Sequence, residues 1–149
     1  MAGKIKYAIG DVFSLILDEK GLKGYGRIIK LDKPSVLIEL YKIKPEKEYS
    51  LDELRDAAAL LTIWSVDHGF KKNEWNVIGN IPLDGEIKEP DFWTTNAITK
   101  KIMLIRGEEQ IEITKDEIEN AQPYGIFGQG AVRIKYVSEL KKYGLYSRA

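Results

Sequence analysis

The order of apolar and polar residues predicts β-strands in the first third of the chain. Three apolar segments, rich in β-branched and aromatic residues, alternate with short turn sequences: Val12–Leu17, Tyr25–Leu31 and Val36–Ile43. Short strands with turns at close intervals are typical of antiparallel sheets. Gly24 and Gly26 flank Tyr25 at the start of the second segment, where glycine would permit a bulge or a sharp bend. We therefore predict a strongly curled antiparallel sheet or a small barrel.

A helix is predicted to follow these strands, beginning after Ser50. Ser50 and Glu53 have the spacing of a capping box, in which each side chain satisfies a backbone N–H group left free at the helix start. Tyr49 and Leu54 occupy the two positions of a hydrophobic staple. The residues from Ala57 to Ala59 are good helix formers, so we expect the helix to continue through them.

The remaining segments predict further strands and two short helices. Four segments are apolar or alternate between apolar and polar residues, and the last two form a hairpin: Leu61–Val66, Trp75–Gly79, Lys101–Ile105 and Gln110–Ile113. The segment His68–Asn73 is predicted to be a loop, and Ile81–Ala97, which contains two prolines, an irregular connection. Thr114–Glu117 forms a second capping box and therefore predicts a short helix.

The C-terminal segment fits two interpretations. Val132–Tyr136 alternates as a strand does, but its apolar residues also share one face of a helix. We expect Glu139–Tyr143 to be helical, with Gly144 ending the helix. The whole pattern predicts a mostly β protein of the α+β class, with two or three short helices. Because no linker or repeat is visible, we expect one domain over residues 1–149.

Composition excludes several kinds of chemistry. The 149 residues include no cysteine, which excludes disulfides, thiolate catalysis and cysteine-based zinc sites. A single histidine excludes catalytic triads and histidine-rich metal sites. The longest apolar stretch, Ala57–Ile63, is too short to cross a bilayer, so we expect a soluble cytoplasmic protein without a membrane partner.

No residue pattern identifies a catalytic site. His68 could act as a general base with Asp67, but a single histidine beside glycine in a polar loop is usually an ordinary loop residue. The segment Gly21–Gly26 has the wrong spacing for a phosphate-binding loop, and no helix is predicted to follow it. We therefore predict no catalytic, cofactor-binding or metal-binding residues, no cofactor and no enzymatic activity.

Charge is distributed unevenly although the net charge is zero. Basic residues exceed acidic ones by about three before Ser50, whereas acidic residues exceed basic ones by about five between Ser50 and Phe92. Acidic side chains and two large aromatic ones concentrate within ten residues: Asp84, Glu86, Glu89, Asp91, Phe92 and Trp93. Acidic groups around an aromatic anchor suit capture of a basic protein surface. We predict that these six residues, the acidic patch, bind a partner. Trp64, in an apolar segment, is expected to lie in the core.

Two groups of residues resemble the immunity protein 26 family of bacterial polymorphic toxin systems. Gly10–Phe13 followed by Gly24–Ile29 resembles the opening of that family. Trp75–Leu83, with Pro90 and Phe92 after it, is similar to its central motif. The likeness spans roughly the first two thirds of the chain. None of these pieces is specific by itself, and it is their order and spacing that produce the resemblance.

The resemblance implies a protein without catalytic activity that is encoded beside a toxin. Such a protein binds the cognate toxin domain and blocks it in the bacterium that produces both. Families of this kind often neutralise nucleases. The resemblance carries over no catalytic residue, and it implies structural roles for the glycines and for Trp75.

Two other functions remain open on the sequence alone. Basic residues interleave with aromatic ones in the first strands, as in barrels that bind single-stranded nucleic acid: Lys4, Lys6, Tyr7, Phe13, Lys20, Lys23, Tyr25, Lys30 and Lys33. The zero net charge and the acidic middle of the chain argue against this function. A barrel that binds a small ligand would require a deep pocket lined by Trp75 or Tyr25.

Overall fold

A computed structural model of the chain describes residues 7–45, 48–85 and 89–146. They form ten strands, numbered in chain order: β1 (Asp11–Ile16), β2 (Lys23–Asp32), β3 (Ser35–Tyr41), β4 (Ala59–Val66), β5 (Trp75–Asn80), β6 (Phe92–Thr95), β7 (Ile102–Arg106), β8 (Glu109–Ile113), β9 (Gln122–Pro123) and β10 (Ile126–Phe127). They also form three α-helices: α1 (Leu51–Arg55), α2 (His68–Lys71) and α3 (Gln129–Lys142). The predicted α+β class with mostly β-structure is confirmed.

The chain divides into two compact units. The first contains β1–β5, β10 and the three α-helices, and the second contains β6–β9. A single domain over residues 1–149 stays a prediction.

The first unit is built on a six-stranded sheet. Its strand order is β10-β4-β3-β2-β1-β5; neighbouring strands are antiparallel except that β10 is parallel to β4. Bulges interrupt three of the pairings. In the described residues the two edge strands, β10 and β5, do not pair with each other, so the sheet is open. The barrel that the sequence suggested is not supported.

Alternating residues of this sheet face two separate clusters of buried side chains. On one face Phe13, Ile38 and Ile63 pack in a cluster with Val132, Tyr136 and Leu140 of α3. On the other face, a cluster contains Val12, Tyr25, Tyr41 and Leu54 of α1. The period of two along each strand therefore directs one set of side chains toward α3 and the other toward α1.

The three tryptophans differ in burial. Trp75 is 4% exposed, and its ring stacks on that of Phe13 with centroids 5.2 Å apart. Trp64 is only half-buried, because it alternates with Ile63 in β4 and points away from the cluster that Ile63 joins. The prediction that Trp64 is a core residue is therefore wrong. Trp93 is also half-buried.

Gly24 and Gly26 do not form the predicted bulge or bend. Both lie in regular antiparallel pairing, Gly24 opposite Leu15 and Gly26 opposite Phe13. Glycine is required at both positions because neighbouring groups occupy the space that a side chain would need. A Cβ on Gly24 would collide with the ring of Tyr136, and one on Gly26 would lie 2.7 Å from the backbone oxygen of Glu39.

The helix predicted after Ser50 is confirmed, but it is short. The Glu53 N–H donates to Ser50 Oγ at 3.2 Å, and the Ser50 N–H donates to Glu53 Oε1 at 3.1 Å. The helix ends at Arg55, so its predicted continuation through Ala59 is wrong. Ala59 pairs with Tyr41 in the sheet, and this tertiary pairing overrides the helix propensity of alanine. The predicted loop after Asp67 contains α2.

The second unit is a four-stranded sheet with the order β8-β7-β6-β9. The predicted hairpin is confirmed as β7 and β8, with Gly107 in the turn at a φ of 59°. β6 lies in the segment predicted to be irregular, where its short length and the nearby prolines hid it. The second capping box precedes a 3-10 helix, Lys115–Asn120, in which the Thr114 N–H donates to Glu117 Oε1 at 3.1 Å.

The C-terminal segment is helical where the sequence fitted both a strand and a helix. Val132–Tyr136 lies inside α3, where Val132, Tyr136 and Leu140 form the buried face. Gly144 follows the helix with a φ of 68°, as expected for a residue that ends a helix. Among the residues that the structure describes, no helix is both long enough and apolar enough to cross a membrane.

Candidate partner-binding surface

The acidic patch lies in both units of the chain. Asp84 is exposed and belongs to the first unit, in the segment that follows β5. Glu89, Asp91, Phe92 and Trp93 belong to the second unit. Glu86 lies outside the described residues. The last four residues of the patch therefore lie in β6 of the small sheet or directly before it.

Trp93 is part of an apolar row that crosses the small sheet. It pairs with Leu104 of β7 on one side and with Pro123 of β9 on the other, and Leu104 pairs in turn with Ile111 of β8. Residues that pair directly across strands share one face of a sheet. We call these four residues the Trp93 row. All of them are at least partly accessible, and Ile111 is 39% exposed.

Phe92 has a different role because it points to the opposite face. It is 6% exposed, pairs with Ile105, and makes an edge-to-face contact with the ring of Tyr124 at a centroid distance of 6.1 Å. A partner could not reach so buried a side chain. Phe92 therefore holds β6 in place behind the Trp93 row.

Asp91 is held by Arg106 at the end of β7. The Arg106 Nε–H donates to Asp91 Oδ1 at 3.1 Å, and an Nη2–H donates to Oδ2 at 2.8 Å, which gives a two-pronged pair. The Asp91 carboxylate raises the pKa of the Arg106 guanidinium through these bonds and through its charge. Much of the negative charge of Asp91 is therefore balanced inside the unit. Glu89, two residues before Asp91, is exposed.

Asp67 does not act with His68. Its carboxylate is 2% exposed, and Oδ2 accepts a hydrogen bond from the Tyr7 hydroxyl at 2.5 Å. Lys71 Nζ lies 3.3 Å from Oδ1. Burial and the neighbouring carboxylate together raise the pKa of Tyr7 above its usual range, so its hydroxyl stays protonated and continues to donate. His68 is exposed at the start of α2. Asp67 therefore connects two segments of the first unit.

The aromatic residues proposed to stack on nucleic acid bases pack instead against other side chains of the protein. Phe13 is fully buried and Tyr25 is 2% exposed, while the ring of Tyr7 stacks on Phe70 at 5.1 Å. Lys23 forms an ion pair with Glu48 at 2.8 Å, and each of these partners shifts the pKa of the other in the direction that favours its charge. Lys4 and Lys6 lie outside the described residues. The strands therefore do not present the stacking surface that this alternative requires.

The small-ligand alternative requires Tyr25 or Trp75 in the wall of a deep pocket. A surface cavity of about 480 Å³ is lined by Trp75, Asn76, Gln129 and Arg133, but the rings of Tyr25 and Trp75 are themselves almost fully buried. Tyr25 contacts Tyr49 edge-to-face, and its hydroxyl accepts a hydrogen bond from the Tyr49 N–H at 3.2 Å. Trp75 packs between Phe13 and Phe70. Within the described ranges, no group of three or more histidine, aspartate or glutamate side chains is arranged to hold a metal ion.

The sequence predicted Trp93 as a candidate binding residue but not the residues that pair beside it. Leu104, Ile111 and Pro123 join the row only through the pairing register of four strands, one of them only two residues long. The predicted hairpin could have identified the first two, because its register places them opposite each other. The pairing of Arg106 with Asp91 could not be inferred without β6.

The comparison with protein families gives a match. A family model described as immunity protein 26 matches residues 8–104 of the chain. This span includes β1–β6 and the first part of β7, and with them Trp75 and Trp93. No curated protein and no solved structure gives a significant match.

Proposed function

The chain belongs to the immunity protein 26 family, and we propose that it protects a bacterium by binding the toxin encoded beside it. In this proposal the chain acts in the cytoplasm of the producing cell, as part of a polymorphic toxin system, and blocks the toxin by occupying its surface. The observation that carries the proposal is the family match, since it covers both regions that the sequence resemblance identified.

We further propose that the carboxylates of the acidic patch in the second unit, Glu89 and Asp91, and the Trp93 row together form the toxin-binding surface. The row offers accessible apolar side chains around a tryptophan, the residue type most enriched at the energetic centres of interfaces. Glu89 and Asp91 place carboxylates on the same chain segment, and Arg106 fixes the orientation of the second one. An aromatic anchor with acidic neighbours suits a partner that has a basic surface.

A nuclease is the class of toxin that best fits such a surface. Nucleases carry basic side chains that bind the phosphate backbone of their substrate. Carboxylates at Glu89 and Asp91 would attract the same basic side chains, accelerate the encounter and exclude the substrate. The chain would therefore compete with nucleic acid for one surface of the toxin.

Co-expression would test the immunity function. The toxin domain encoded next to this chain is produced from one inducible promoter and the chain from another. We expect the toxin alone to arrest growth and the chain to restore it only when at least one copy is present for each toxin molecule. The two proteins should also co-purify as an equimolar complex. An unrelated immunity protein of similar size is the control.

The stoichiometry distinguishes binding from catalysis. Protection by far fewer chains than toxin molecules would contradict a binding mechanism and indicate an enzyme that inactivates the toxin. Growth arrest that persists despite a folded and abundant chain would contradict the immunity function toward that toxin.

A further inference from the structure

β5 is an exposed edge of the six-stranded sheet. In the described part of the chain it pairs with β1 on one side only. The backbone N–H and C=O groups on the other side of an edge strand can accept another extended chain. Because the occupant must supply its own strand, the geometry of the site already restricts the partner to a protein with an exposed edge.

The side chains along β5 include none of the types that usually prevent an edge strand from pairing with another chain. From Asn76 to Asn80 they carry no charge and include no proline. Val77 and Ile78 are 39% and 41% exposed, and Ile9, whose carbonyl oxygen accepts from Asn80 Nδ2 at 3.2 Å, is 47% exposed. Edge strands are usually protected by charged side chains, by proline or by extreme shortness. The one such protective feature in β5 is a bulge at Ile78.

The other sheet edges in the described residues do have such protection. β8 carries the charged side chains Glu109 and Glu112, which protect an edge strand against pairing. β9 and β10 are each two residues long, and β9 contains Pro123. The contrast singles out β5 as the edge that can pair with an uncharged strand.

We propose that β5 pairs with β5 of a second copy of this chain, antiparallel and about a twofold axis. In a twofold contact centred on Ile78, this residue meets its own copy, Val77 faces Gly79 and Asn76 faces Asn80. Such a contact requires that the opposed side chains do not repel each other. β5 meets this condition, and the accessible Val77 and Ile78 supply apolar area beside the backbone hydrogen bonds. The bulge limits the regular pairing to a few residues, so the dimer is weak and forms as concentration rises.

Sedimentation velocity of the full chain from low to high micromolar concentration tests this proposal. We expect the mass to rise from the 17.0 kDa of one chain toward twice that value. The Ile78→Lys variant places two positive charges near the twofold axis and should lose the dimer. Ile98→Lys makes the same chemical change at an isoleucine that is 91% exposed outside the edge strands, and it should behave as the wild type.

Charge reversal separates a lost contact from a lost fold. Ile78→Glu should also be monomeric, and an equimolar mixture of the Lys and Glu variants should dimerise again, because opposite charges then meet at the axis. Circular dichroism verifies that each variant is folded. A wild type that stays monomeric at the highest concentration, an Ile78→Lys variant that still dimerises, or a mixture of folded variants that does not associate would each overturn the proposal.

Discussion

Gly26 and Gly130 differ in the space that their surroundings leave for a side chain. A Cβ on Gly26 would lie 2.7 Å from the backbone oxygen of Glu39 and 2.8 Å from Cζ of Phe13. Neither group can move without disturbing the sheet. Gly130 lies in the first turn of α3, and a Cβ there would have nothing within 4 Å. One glycine is required by packing, whereas the other only weakens its helix.

We expect alanine to have opposite effects at these two positions. Gly26→Ala should lower the free energy of unfolding by roughly 1–3 kcal/mol, because it overpacks the sheet. Gly130→Ala should raise it by roughly 0.5–1 kcal/mol, because alanine loses less conformational entropy in a helix. Urea denaturation of the two variants beside the wild type measures both effects. Equal effects of one sign would show that the packing around Gly26 is not tight.

Asp18 connects the β1–β2 turn to the C-terminal segment and makes stability depend on pH. Burial alone would raise the pKa of its carboxyl group, but hydrogen bonds from the Tyr146 hydroxyl and from the N–H groups of Leu22 and Lys20 lower it below the usual 3.8. A pKa that is lower in the folded state stabilises the fold above the unfolded value, and this contribution is lost as the pH falls below it.

We therefore expect Tyr146→Phe to destabilise the protein most near neutral pH. The difference from the wild type should shrink as the pH falls below about 3.8 and through the lowered pKa of Asp18, because protonation removes the charge that the Tyr146 hydroxyl stabilises. Urea midpoints near neutral pH and at about pH 3 give the comparison. Tyr143→Phe, which removes an exposed hydroxyl from the same end of the chain, is the control. A difference that is constant with pH would mean that Tyr146 acts through packing and not through Asp18.

At the scale of the element, the sequence predicted those structural features that depend on contacts between residues close in sequence. The capping boxes at Ser50 and Thr114 and the hairpin β7–β8 were all predicted from residues close in sequence. The end of α1 was not, because Ala59 joins the sheet through a partner in β3. The prediction that Trp64 lies in the core failed for a similar reason. The apolar segment around it does not indicate which face of β4 packs against α3.

The capping box of α1 is the element whose energy can be tested most directly. Ser50→Ala should lower the free energy of unfolding by about 1 kcal/mol, because the N–H of Glu53 loses its acceptor. Ser50→Asp keeps an acceptor at the same place and should cost little. Denaturant midpoints of both variants measure this effect. An equal loss in the two variants would show that the serine is needed for a reason other than capping.

At the scale of the whole molecule, the candidate surface depends on strand pairing that composition does not show. The sequence identified the acidic and aromatic residues from Asp84 to Trp93, because they cluster along the chain. It could not show that Phe92 and Trp93 face opposite sides, that Arg106 holds Asp91, or that Leu104 and Ile111 extend the row. These facts follow from a four-stranded register that joins segments from β6 to β9.

The acidic patch should control how fast the chain meets its toxin. Glu89→Lys places a positive charge in the patch and should slow association with the cognate toxin domain, most strongly at low salt, because steering by charge is screened by ions. Glu19→Lys changes the net charge by the same amount in the β1–β2 turn and is the matched control. Surface plasmon resonance at low and high ionic strength measures both rates. Equal slowing by the two variants would show that net charge, and not the patch, directs the encounter.

Trp93 should control how long the complex lasts. Its side chain is the largest in the apolar row, and truncation of a tryptophan at the centre of an interface costs about 2 kcal/mol or more, which corresponds to a roughly thirtyfold faster dissociation. Trp93→Ala should therefore raise the dissociation rate and leave association nearly unchanged, since it alters no charge. Tyr143→Ala, which removes an aromatic ring that is 55% exposed in the first unit, serves as the control. Urea denaturation verifies that Trp93→Ala remains folded at the assay temperature. A folded Trp93→Ala variant that binds and protects as the wild type does would place the toxin interface elsewhere, and the basic strands before Ser50 would then be the next surface to test.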